Sequence, residues 1–190
     1  MPATTPPPRR RAKTAPATPV LAVLALALAI WAGTGLAPRP ARAGSPAPPL
    51  APYSTLLRQY LRNGTVDYAG FKPEIKRLDA YVNLLIHLDP DTLSEADQKA
   101  FFINLYNACT IRLIVARFPG IKSIKDAGSL FQSPWKFPLV KVNGRMLSLD
   151  TIEHGILRGR FQDRMVHFAL NCASKSCPDL RAEPYEGSRL

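Results

Sequence analysis

The sequence predicts an α+β fold: a helical N-terminal half around one central buried helix, then a small, mostly antiparallel sheet. Three observations carry this expectation. Apolar residues recur at three and four through 53–62 and 73–87, the spacing of a single helix face. Residues 94–117 are apolar nearly all round from Phe101 onward, which places that helix in the middle of a domain. Asn143-Gly144 separates two short apolar runs, 139–142 and 145–149, as in a two-residue hairpin.

Residues 1–43 read as an export signal. Six Lys and Arg and no acid precede residue 44. An apolar run, 20–37, follows the basic lead-in, and Ala41-Arg42-Ala43 supplies a small-x-small cleavage pattern. The expected product is periplasmic or secreted and starts at Gly44. The competing reading keeps 20–37 as a membrane anchor, since its 18 residues reach the lower limit for spanning. Arg9-Arg10-Arg11 matches a twin-arginine signal weakly, because Ala12 and Lys13 follow instead of a bulky apolar pair. Twelve of the 19 prolines lie at or before Pro52, so 44–52 reads as an extended linker outside the core. One domain, 53–190, remains.

From residue 44 onward 19 Lys and Arg face 14 Asp and Glu. Such a mild, dispersed excess argues against nucleic-acid binding. The partners expected are a small-molecule or peptide substrate, with the membrane reached only through an uncleaved signal segment.

Within the domain, Leu56, Leu57, Tyr60 and Leu61 share the face of a first helix, which Asn63-Gly64 ends. Residues 65–71 fit a strand or an ordered loop. Pro73 suits a helix start, and Ile75, Leu78, Tyr81, Val82, Leu85 and Ile86 form the buried face of 73–87. Ser94 with Asp97 makes a capping pair for the central helix, which stops before Pro119-Gly120. Asn104 and Asn107 interrupt its apolar surface three residues apart, on one face. A short helix is expected at 121–127, and an aromatic loop with Phe131, Trp135 and Phe137 at 129–138. After the hairpin, Asp150 and Glu153 form a second capping pair, opening a helix over 151–158 that Gly159 ends. Residues 165–171 alternate weakly and read as a buried strand.

The blocks Val66-Asp67-Tyr68, 100–108 (AFFINLYNA), 148–158 (SLDTIEHGILR) and 167–178 (HFALNCASKSCP) resemble, in the same order, the domain of unknown function 547 family. The resemblance runs from about residue 53 to the end. It implies no catalytic residues, since none are established for the family. That family normally continues past the Cys-Pro segment, so Leu190 is expected to mark a shortened C-terminus.

Residues 165–178 gather the most reactive groups. Cys172 follows the expected strand in a loop of small residues. As a nucleophile it needs a base, and His154 and His167 are the candidates. Alternation along a strand puts His167 and Cys172 on opposite faces unless the chain turns after Leu170, which favours His154. Asn104, Asn107 or Glu153 would then orient the imidazole, as the third member of a thiol hydrolase or acyl transferase does.

A rival reading is a non-catalytic binding or scaffold module. Cys172 and Cys177 pair, as export favours; His167 is a core histidine, Glu153 a cap, and the asparagines tie the central helix to loops. Closing that short loop stabilises by roughly 2 kcal/mol on the chain-entropy view. A third reading takes Cys172, Cys177, His154 and His167 as zinc ligands, although the histidine spacing matches no standard pattern. No cofactor is expected. Cys109, in the apolar helix, reads as an inert small hydrophobe.

Overall fold

The computed structural model describes residues 48–121, 123–174 and 177–190; the expected export signal, the anchor alternative and the start of the linker lie outside these. The described residues fall in one compact unit. The fold is α+β, with four α-helices and two separate two-stranded antiparallel sheets among the described residues.

Helix α1 (Ala51–Tyr60) starts with Pro52 in its first turn and buries Tyr53, Leu56 and Leu57. Just before it, Pro48 is buried, and the helix takes in residues 51 and 52 of the expected linker. Proline there has no free N–H to leave unsatisfied and adds apolar surface. Strands β1 (Leu61–Arg62) and β2 (Thr65–Val66) then pair across Asn63-Gly64. Both turn residues have positive φ, 48° and 76°, as a type I′ hairpin requires. Asn63-Gly64 therefore turns a hairpin besides ending the helix.

A one-turn helix, α2 (Tyr68–Phe71), is capped by Asp67, whose carboxylate accepts from Gly70 N at 2.9 Å. A 3-10 turn (Lys72–Glu74) leads into α3 (Ile75–Ile86), which buries Leu78, Tyr81, Val82 and Leu85. Helix α4 (Glu95–Arg117) is the axis of the fold, with sixteen of its 23 residues buried. Ser94 Oγ accepts from Asp97 N at 3.1 Å, and Glu95 and Asp97 lie in the first turn where the helix dipole favours acids. Helices α2 and α3, a C-terminal 3-10 turn (Gly187–Arg189) and a π-helix (Thr151–Arg160) all pack on α4.

Strands β3 (Val140–Val142) and β4 (Arg145–Leu147) form the hairpin around Asn143-Gly144, with φ of 47° and 77°. Val140, Val142 and Leu147 face the core while Lys141 and Met146, paired across the hairpin, face solvent, the alternation of a one-sided sheet. The following helix is entered two residues earlier than Asp150 and Glu153 suggest. Ser148 Oγ accepts from Thr151 N at 3.1 Å and shares a 2.9 Å hydrogen bond with the Thr151 hydroxyl. Asp150 makes no side-chain cap. Serine and aspartate cap about equally well; the strand ends at Leu147, which puts Ser148 and not Asp150 at the helix boundary.

Residues 165–171 are not a buried strand. Met165–Phe168 is a 3-10 turn with only Val166 buried; Met165 and Phe168 are 68% and 65% exposed. Asp163 Oδ1 accepts from Met165 N at 2.9 Å and starts a turn instead.

In the core, the Tyr53 and Tyr81 rings stack at 4.6 Å. Burial raises both phenols above their ordinary pKa. Neither hydroxyl has a partner among the described residues, so each stays desolvated without a compensating bond. Tyr53→Phe is expected to leave stability unchanged or raise it by about 1 kcal/mol. Urea unfolding measures this, and a loss of similar size would reveal a partner for the hydroxyl.

Candidate functional site

Two asparagines on one face of α4 hold the C-terminal segment. Asn104 Nδ2 donates to Tyr185 O at 2.8 Å, and Asn104 Oδ1 accepts from Tyr185 N at 2.9 Å. Asn107 Nδ2 donates to Ala169 O at 2.9 Å, and its Oδ1 accepts from Asn171 N at 2.9 Å. Both side chains are nearly fully buried, at 1% and 2% exposure. Each amide thus offers a donor and an acceptor to backbone, the pairing a neighbouring strand would otherwise supply. Residues spaced by three on a helix face reach two separate points of one passing segment.

The cysteine loop opens from the second clamp. Asn171 Nδ2 donates to Pro178 O at 2.9 Å, and Asn171 Oδ1 accepts from Ala173 N at 3.0 Å. Inside that frame Cys172 and Cys177 form a disulfide. Ala173, next to the bridge, has φ of 55°, a left-handed conformation that disfavours a Cβ. The Asn171 side chain, accepting two residues ahead, holds it there. Beyond the loop, Leu180 N donates to Gly64 O at 3.1 Å, tying the segment to the first hairpin.

The remaining predicted site residues lie elsewhere. Glu153, on the π-helix, accepts from the Tyr106 hydroxyl at 3.3 Å and pairs with Arg158 at 3.5 Å. It serves as a partner for α4 and not as a cap. Burial first, and the Glu153 carboxylate second, push the Tyr106 phenol well above its ordinary pKa. His154 is exposed on the same helix. His167 is exposed as well, its ring edge-on to Phe168 at 5.9 Å, so it is not a core histidine. The reason is the turn at 165–168, which presents the side chain to solvent where a strand would have buried it. Among the described residues no hydrogen bond joins either imidazole to Cys172, and no group of three or more His, Cys, Asp or Glu is placed to hold a metal ion. Cys109 is free and buried, and burial pushes its thiol up to about 12, so it stays protonated and unreactive.

The segment that α4 clamps is also where the chain is similar to known sequences. The family described as "Protein of unknown function, DUF547" matches residues 90–190, just over half of the chain. This chain belongs to the DUF547 family. No curated protein and no solved structure matches it. The DUF547 region holds α4, the second hairpin, the π-helix, both asparagine clamps and the disulfide loop. Helices α1 to α3 precede it and supply the other wall of the core.

Two members of this DUF547 site are not expected from the sequence. Asn171 closes both sides of the loop, and the signal was an asparagine directly before a small-residue loop, which favours an Asx turn. Tyr106 lies within a run of apolar residues, and only its hydroxyl's need for a buried acceptor could have pointed to Glu153.

Proposed function

We propose that this chain is an exported cell-envelope module that binds or scaffolds and does not catalyse, with its C-terminal segment pinned by the Cys172–Cys177 bridge. The observation that supports this reading most is the bridge itself. A bridged sulfur has no thiolate with which to attack a carbonyl, and a thiol hydrolase depends on that thiolate. The asparagines, which could have oriented a catalytic imidazole, are instead fully used in holding backbone. Export supports the same reading, since an oxidising compartment preserves such a bridge. The basic lead-in, the apolar run and Ala41-Arg42-Ala43 support export.

Alkylation of the native protein tests this. Without a reductant, iodoacetamide is expected to leave Cys172 and Cys177 unmodified; after reduction in denaturant both take up one label, as read by peptide mass spectrometry. Stoichiometric labelling of Cys172 in the unreduced native protein would overturn the proposal and restore the thiol-hydrolase reading.

A further inference from the structure

Leu130 and Phe131 stand out on this surface. They are 98% and 96% exposed, whereas large apolar side chains at an unpartnered surface normally lie down against it. Their backbone is held firmly. Ser129 N donates to Gln132 O at 3.0 Å and Gln132 N to Ser129 O at 3.4 Å. Ser129 Oγ also accepts from Phe131 N at 3.3 Å and Gln132 N at 3.1 Å. The two side chains therefore crown a closed four-residue turn. On either side lie two 3-10 turns, Ile124–Ala127 and Pro134–Lys136, which contact each other at its base. Trp135, half-buried, packs against the core beside it.

Cations flank this tip. The two 3-10 turns at its base carry Lys125 and Lys136 against one acid, Asp126. Both lysines are exposed, and among the described residues neither is in an ion pair. The single acid is occupied: Asp126 Oδ2 accepts from Ser123 N at 2.8 Å within a capping box.

We propose that the Leu130–Phe131 turn is a membrane-docking tip that inserts into an anionic phospholipid surface, with the surrounding cations held at the headgroups. Two apolar side chains alone give weak interfacial binding, and cations alone give binding that salt removes. Stable attachment takes both signals together, and this surface carries both. An aromatic beside the tip suits the headgroup boundary. The inference is independent of the role of the disulfide loop and holds for a catalytic or a non-catalytic chain.

The chain from Gly44 onward, without the apolar run 20–37, has one tryptophan, Trp135, which reports beside the tip. Vesicles of brominated phosphatidylglycerol mixed with phosphatidylcholine are expected to quench Trp135. Vesicles of brominated phosphatidylcholine alone should quench it several-fold less. Raising the salt above physiological strength should weaken the quenching, because exposed charges are then screened. Leu130→Ser with Phe131→Ser should weaken vesicle affinity about a hundredfold, the loss expected when two inserted side chains become polar. Both positions are solvated, so the double variant should keep its thermal midpoint, which circular dichroism checks. Equal quenching with and without the tip substitutions would overturn the proposal, as would none with anionic vesicles. Tip-dependent capture of a protein partner without Trp135 quenching would also overturn it.

Discussion

Asn107→Ala is expected to cost about 3 kcal/mol of stability, since it strands a part-buried backbone carbonyl and a part-buried backbone N–H. The partners lie at Ala169 and Asn171, 62 and 64 residues away along the chain. No other side chain is described as bonding to either group, so alanine leaves both unpaired. The loss should appear in urea unfolding, and the loosened segment should become open to proteolysis between 165 and 185. Asn107→Asp is a sharper probe. It keeps the acceptor for Asn171 N, loses the donor to Ala169 O, and sets a carboxylate against that carbonyl at a position 2% exposed. It should therefore be at least as destabilising as alanine, because burying an unpaired charge is costly. A loss below about 1 kcal/mol for Asn107→Ala would mean that the clamp does not hold the segment.

The second large effect comes from a comparison of two turns. Gly64 and Gly144 have nearly the same backbone, with φ of 76° and 77°, and each follows an asparagine in a two-residue hairpin turn. Alanine at either site carries the cost of a left-handed conformation, about 1–2 kcal/mol. A Cβ on Gly144 would meet nothing within 4 Å. A Cβ on Gly64 would overlap Cβ and Cγ of Asp179, where the C-terminal segment crosses the hairpin. Since Leu180 N donates to Gly64 O there, the segment cannot move away without giving up that bond. Gly144→Ala should cost about 1 kcal/mol and Gly64→Ala about 3 kcal/mol, strain and overpacking adding to the backbone term. Denaturant midpoints of the two variants measure the difference. Equal losses would show that the crossing adapts freely.

These expectations rest on contacts of very different reach, and reach governs how far the sequence can be read. The apolar spacing of α1, α3 and α4, the Ser94 cap and the turn at Asn143-Gly144 all depend on residues within a few positions of one another. Each is legible because helix periodicity, capping and positive-φ turns are local physics. The difference at 150–153 is local too. Ser148 and Asp150 both fit an N-cap, and the approach from β4 decided between them. For 165–171, weak alternation suggested a strand, but a strand needs a neighbouring ladder. The backbone there meets the side chain of Asn107, and 165–168 coils into a turn.

Alone, the sequence determined the fold class, the central buried helix, the tight turn of the second hairpin and the family to which the chain belongs. Tertiary structure decided which of the chemically capable side chains meet. It joined Cys172 to Cys177, gave Glu153 to Tyr106 and Arg158, left His154 and His167 in solvent, and spent Asn104 and Asn107 on backbone. The reason is physical. A buried amide or hydroxyl must find a partner wherever packing brings one, and the partners here lie from 47 to 81 residues away.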